Sequence, residues 1–208
     1  MKQIFFLILL LCGGTASHCS GQTASQLRAQ VAEVTANMRT LQCDFVQTKH
    51  VKMLNENMVS RGRMFYMRND RLRWEYNTPY AYTFILNGDK VLLNNGNTKR
   101  NDVIDVNKNK VFKEISRIMV SSVVGSCLTD DKTFKTTVTT SGAEWIATLE
   151  PVRKDIKQMF DKIILHFDKK RKVVTKIEMT ERNGDKTTIV LQNIRTNENI
   201  SANMFTVH

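Results

Sequence analysis

Residues 58–93 read MVSRGRMFYMRNDRLRWEYNTPYAYTFILNGDKVLL, and this stretch decides the fold. Successive side chains of a strand point to opposite faces, so Leu72, Trp74 and Tyr76 share one face while Arg71, Arg73 and Glu75 share the other. Turn signals at Asn69-Asp70, Thr78-Pro79 and Asn87-Gly88-Asp89 divide the segment into strands at roughly 58–68, 71–77, 80–87 and 90–94. Links this short make neighbouring strands antiparallel. Large apolar residues recur on one face: Met64, Tyr66, Leu72, Trp74, Tyr76, Tyr82, Phe84 and Leu86.

Working outward, residues 24–39 place Leu27, Val31, Val34 and Met38 at steps of four, three and four, the stripe of an amphipathic helix. Leu41, Cys43 and Phe45 then alternate with Gln42, Asp44 and Val46 in a first strand running to about Val51, and Asn95-Gly96-Asn97 makes another tight turn. From Lys108 to Val124 the positions Val111, Phe112, Ile115, Ile118, Met119, Val123 and Val124 follow a helical period, with Gly125 as the stop. Beyond it, strands are expected at 134–140, 144–150, 158–168, 172–181 and 186–194, joined by turns at Ser141-Gly142, Lys169-Lys170-Arg171 and Asn183-Gly184-Asp185. The tally is ten or eleven strands. No repeat or long linker divides the chain, so one curved antiparallel sheet with two helical elements is the economical architecture.

The first 21 residues hold Lys2, the apolar run Ile4–Leu11 and then small and polar residues, the pattern of a cleaved secretory leader rather than a bilayer span. The expected division is a leader at 1–21 and one domain at 22–208; cleavage after Ala16 or Ser17 also fits. Cys12 follows Leu11 and Cys19 follows His18, so neither has the small preceding residue of a lipid-modified cysteine. The remaining chain reads as soluble and exported. Its two cysteines, Cys43 and Cys127, are open to two readings: one disulfide in an oxidising compartment, or two buried small hydrophobes.

Removing residues 1–21 takes away only Lys2, leaving 30 basic against 20 acidic side chains. A strongly basic balance suits an anionic membrane surface, an acidic partner or nucleic acid. Nucleic acid is disfavoured by the leader and by the absence of aromatics interleaved with the basic residues, and Lys169-Lys170-Arg171-Lys172 reads as a solvated hairpin tip. No phosphate-binding glycine loop, nucleophile elbow or His-Glu-x-x-His is present, and Asp102, Asp105, Asp130 and Asp131 read as loop and cap residues. The expectation is a monomer with no catalytic residue, no metal and no cofactor. The oily sheet face is either a core sealed by its own side chains or a binding surface, and methionines among its residues suit guests of varied shape.

Several features, taken in order, resemble the LolA family of periplasmic lipoprotein carriers. They are the amphipathic first helix, Asp44-Phe45-Val46-Gln47, the spacing Arg68-x-x-x-Leu72-x-Trp74, the Pro79 to Gly88 segment, a helix near 111–124, Gln158-Met159-Phe160 and a terminal Asn203-Met204-Phe205 resembling the family's last strand. The resemblance implies an unclosed β-barrel with helices covering the opening. It implies a cavity for the acyl chains of lipoproteins, an inner-membrane transporter that supplies them and an outer-membrane acceptor that receives them. Arg68 falls where the family keeps an arginine latching its helical lid, Leu72 and Trp74 fall on the cavity-lining strand, and Val31 matches a lid-side apolar residue. Asn69 stands where the family commonly has proline. The candidate cargo-binding set is therefore Val31, Phe45, Met64, Tyr66, Leu72, Trp74, Tyr76, Phe84, Leu86, Ile115 and Met119. The alternatives are a sensory or structural periplasmic domain of the same fold, or a carrier of another apolar cargo.

Overall fold

The computed structural model describes residues 19–98 and 100–207. A first helix, α1 (Cys19–Asn37), leads into β1 (Thr40–Val51), β2 (Glu56–Met67), β3 (Arg71–Thr78), β4 (Tyr82–Asn87), β5 (Lys90–Asn95) and β6 (Arg100–Asp105). The helix α2 (Lys110–Val124) intervenes, and β7 (Phe134–Ser141), β8 (Glu144–Pro151), the one-turn helix α3 (Lys154–Lys157), β9 (Phe160–Asp168), β10 (Val174–Glu181) and β11 (Lys186–Thr196) follow. Among the described residues the eleven strands form one sheet in the order β6-β5-β4-β3-β2-β1-β11-β10-β9-β8-β7. The sheet closes through its middle, where β1 pairs with β11, and stays open between its outer strands β6 and β7. It is a mainly β fold, an unclosed barrel with helices over the opening.

The cross-strand register explains the oily interior. Met64 lies opposite Trp74 and Tyr66 opposite Leu72, while Trp74 faces Phe84 and Leu72 faces Leu86. Directly paired residues share a face, so these rows pack together with Leu41, Cys43 and Phe45 of β1 inside the barrel. Phe45 sits opposite Gly62. Its ring lies 4.8 Å from that of Trp74 and 5.2 Å from that of Tyr76, edge-on to the latter. A Cβ on Gly62 would fall 1.7 Å from the Glu75 carbonyl oxygen and 2.8 Å from the Phe45 ring. The β2–β3 register shifts between Arg61 and Gly62, so the missing side chain admits both the irregularity and the ring.

Several expectations need correction. The polar segment around Asp102 forms the edge strand β6 rather than a loop, and Asp105 caps the short 3-10 turn Val106–Lys108 by accepting from the Asn107 amide at 2.9 Å. Asn203-Met204-Phe205 is a 3-10 turn, not a strand. It places Phe205 over Phe65, Ile85 and Leu92, a small apolar cluster on the outer face of the sheet that alternation had assigned to polar residues. Arg73 donates to the Met204 carbonyl at 2.9 Å and Asn87 to the Phe205 carbonyl at 3.0 Å, which pins this segment down. The helix α3 was not anticipated. Cys43 and Cys127 are free and buried, so the disulfide reading fails, and burial pushes both thiols up to about 12. The expected leader lies outside the described residues except for 19–21, which open α1.

The helix α2 is bounded as its sequence suggests. The Asn109 side chain accepts from the Phe112 amide at 3.2 Å, and Gly125 ends the helix in the left-handed region at φ 81°. Gly62→Ala should destabilise the fold by roughly 1–3 kcal/mol, the range for overpacking a filled site. The check is the urea midpoint of the variant against the native chain; an unchanged midpoint would show that the Phe45 seat is not tight.

Candidate functional site

The interior changes character along its length. On β1 the inward residues run Leu41, Cys43, Phe45, then Gln47 and Lys49. On β11 they run Leu191, Ile189, Thr187, and on β10 they run Ile177, Met179, Glu181 toward the same end. One end is a sealed core, and the other end leaves a hollow of about 610 Å³, the size of a small-ligand pocket. Its walls are Trp74 and Tyr76 of β3, the inward ends of β1, β10 and β11, and Met159 and Phe160 where β9 begins. Its roof is α2, through Ile115, Ile118, Met119, Ser122 and Val123.

The mouth is polar. Lys49 donates to Glu181 at 2.8 Å and lies 3.6 Å from Asp185; the Glu181 hydrogen bond raises the lysine's pKa. Arg182 at the rim pairs with Asp161 at 2.7 Å. Deeper in, the Tyr76 hydroxyl donates to Gln47 Oε1 at 3.0 Å, and burial pushes that hydroxyl up to about 12, so it stays protonated at neutral pH. The buried Trp74 indole N–H has no hydrogen-bond acceptor among the described residues. Apolar walls and a charged rim can hold an apolar chain whose polar end stays at the mouth.

Of the residues singled out from sequence, Trp74, Tyr76, Ile115 and Met119 line the hollow. Val31, Phe45, Met64, Tyr66, Leu72, Phe84 and Leu86 are buried in the adjoining core instead. The lining missed by sequence reasoning includes Ile118 and Val123 of the α2 stripe, Met159 and, on β9 to β11, Phe160, Ile177, Met179 and Ile189. The signal on those strands was the same alternation of apolar and polar residues, read there only as a meander.

Arg68 anchors the first helix. Its Nε donates to the Met38 carbonyl at 3.3 Å, its Nη2 donates to the Ala36 carbonyl, and its own amide donates to the Arg39 carbonyl at 2.8 Å. A cation is thus placed at the C-terminus of α1, where free carbonyls and the helix dipole favour it. Asn69 and Asp70 take φ 69° and 53°; proline cannot reach positive φ, which accounts for asparagine after this arginine. α1 is also held where Thr35 donates to the Val124 carbonyl at 2.9 Å and where Arg28 donates to Asp131 at 2.9 and 3.2 Å.

The family model for the outer membrane lipoprotein carrier protein LolA matches residues 36–208. The chain belongs to the LolA family. No curated protein matches it. Among solved structures, an uncharacterized conserved protein from Thermus thermophilus is 10% identical, with 87% of this chain and 92% of that one covered at a TM-score of 0.54. The Pseudomonas aeruginosa MucA/MucB complex matches at 11% identity and a TM-score of 0.52, covering 89% of this chain but 61% of the matched one. At such identities the likeness shows the fold alone. Among the described residues no helix is long and apolar enough to cross a membrane, and no His, Cys, Asp and Glu cluster suits a metal ion.

Arg68→Ala should loosen the end of α1 by about 1–2 kcal/mol, the worth of charge-assisted hydrogen bonds partly screened by solvent. Hydrogen exchange should quicken at residues 33–38 while the β9–β10 ladder keeps its protection. Unchanged exchange in that last turn would show that the guanidinium does not hold the helix.

Proposed function

We propose that this LolA-family chain is a periplasmic carrier that holds the acyl chains of lipoproteins beneath α2 and moves them from an inner-membrane transporter to an outer-membrane acceptor. The observation that carries this reading is the hollow of about 610 Å³ with walls of aromatic, methionine and aliphatic side chains and an ion-paired rim. Burying an acyl chain gains about 0.8 kcal/mol per methylene, so ten methylenes contribute roughly 8 kcal/mol, comparable to the cost of association. The flexible thioethers of Met119, Met159 and Met179 let the walls fit chains of differing length. Family membership supports lipoprotein as the guest. Arg68, by fastening α1, would keep the helical roof in register with the sheet as α2 moves for a guest.

Mass spectrometry of organic extracts tests the reading on protein purified without detergent. The native chain should yield acylated species. Met119→Arg, which sets a cation against the hollow from a half-buried helix position, should lower their recovery at least about tenfold, a penalty of roughly 1.4 kcal/mol, with little change in unfolding midpoint. Equal recovery from both proteins would contradict the assignment of the hollow as the cargo site.

A further inference from the structure

The hairpin joining β1 and β2 runs past β3 at the mouth of the hollow, while on its other flank the turn before β11 reaches Lys52, whose amide donates to Asp185 at 3.0 Å. β1 and β2 have 12 residues each and pair without interruption from Thr40–Met67 to Val51–Glu56. On one flank β3 reaches only Arg61, paired with Thr78. On the other, β11 starts at Lys186, opposite His50. Residues 56–60 of β2 therefore have a strand neighbour on one side only, an overhang of about 17 Å at the usual rise per residue.

This overhang and its turn are where the surface is most apolar. Met53 is 89% exposed, Leu54 57%, Met58 54% and Val59 47%, half of the eight exposed large hydrophobic residues among those described. Isolated apolar residues on a surface are ordinary, whereas four within seven positions form a patch. Met53 and Leu54 are in the turn at the apex. Met58 lies opposite Lys49, which lines the hollow, and so shares the inward face; Val59 points the other way. The tip is thus apolar at its apex and on both faces. A groove on a folded partner would receive one face of a hairpin, whereas a tip with apolar residues at its apex and on both faces, among polar Lys52, Asn55, Glu56 and Asn57, suits insertion into a bilayer interface.

The charges around the patch favour anionic lipid. Within the hairpin Lys52 and Arg61 stand against Glu56, while Lys49 is paired with Glu181 and lies 3.6 Å from Asp185. Lys186 stands beside His50 where β11 begins, and the chain as a whole carries +11. Each basic residue near an anionic membrane surface is attracted to it, and an inserted apolar tip adds a contribution that salt does not screen.

We propose that the β1–β2 hairpin tip, residues 52–59, is a membrane-docking element that enters the headgroup boundary of an anionic bilayer. Docked this way, the chain turns the mouth of the hollow toward the lipid. Met58, continuing the wall beyond Lys49, then offers an apolar step between bilayer and hollow. That last consequence rests on the carrier reading, while docking itself does not.

Flotation with vesicles of phosphatidylethanolamine and phosphatidylglycerol tests the element. The full chain should float with the vesicles, and Met53→Asp combined with Leu54→Asp should weaken partitioning about 30-fold or more, the scale of two large apolar side chains withdrawn from an interface. The double variant should keep the native unfolding midpoint and the native yield of extractable lipid, which separates loss of docking from loss of the hollow. Met119→Arg should still float. Failure of the native chain to float, undiminished flotation of the double variant, or flotation lost in Met119→Arg but kept in the double variant would each overturn the assignment.

Discussion

The structure depends on a ring seated over a missing side chain. Phe45 on the central strand β1 lies across Gly62 and contacts Trp74 and Tyr76 from one side. On the far side of those two residues the hollow begins. The seat therefore marks where sealed core gives way to open interior. A side chain at position 62 would meet the Glu75 backbone as well as the ring, so neither the local shift of register nor the wall of the hollow is independent of that glycine. Close packing leaves little slack for such a contact to be made elsewhere.

From that boundary the interior is graded. Toward α1 the inward positions of β1 are apolar, Leu41, Cys43 and Phe45, and the first helix is clamped by polar contacts from Arg68, Thr35 and Arg28. Toward the mouth the inward positions become Gln47, Lys49, Glu181 and Thr187. A polar residue with an ion partner near solvent costs little, but it cannot complete an apolar core. The space beneath α2 stays unfilled because the strand ends that could fill it carry side chains whose polar groups belong at the rim. The same strand ends lead into the exposed hairpin tip, so hollow, mouth and apolar projection lie at one end of the barrel.

The sequence shows most of the sheet, because alternation in β2 to β4 and the Asn87-Gly88 turn leave few other registers. The stripe of α2 and its Gly125 stop are equally plain. β6 escapes notice because its residues, Arg-Asn-Asp-Val-Ile-Asp, lack an alternating apolar face: an edge strand is held by backbone pairing with β5 more than by side chains. The C-terminal turn escapes because its docking partner, the cluster of Phe65, Ile85 and Leu92, lies on the face expected to be polar. For the site, a period of two tells which face a residue occupies but not how far along the barrel it sits. Phe45, Met64 and Leu72 share a face with Trp74 and Tyr76, yet they lie in the filled part. Depth becomes visible only when strands distant in sequence, such as β1 and β11, are laid side by side.

The central claim is that hydrocarbon enters the space bounded by Trp74, Tyr76 and α2. Of the chain's two tryptophans, Trp145 lies on β8 outside the lining of the hollow, so Trp145→Phe leaves Trp74 as the sole reporter within it. Titration of that variant with a fatty acid brominated along its chain should quench the remaining fluorescence saturably, and the unbrominated acid should reverse the quenching by competition. Fluorescence that stays constant, or quenching that rises linearly without saturation, would contradict entry of an acyl chain into the hollow.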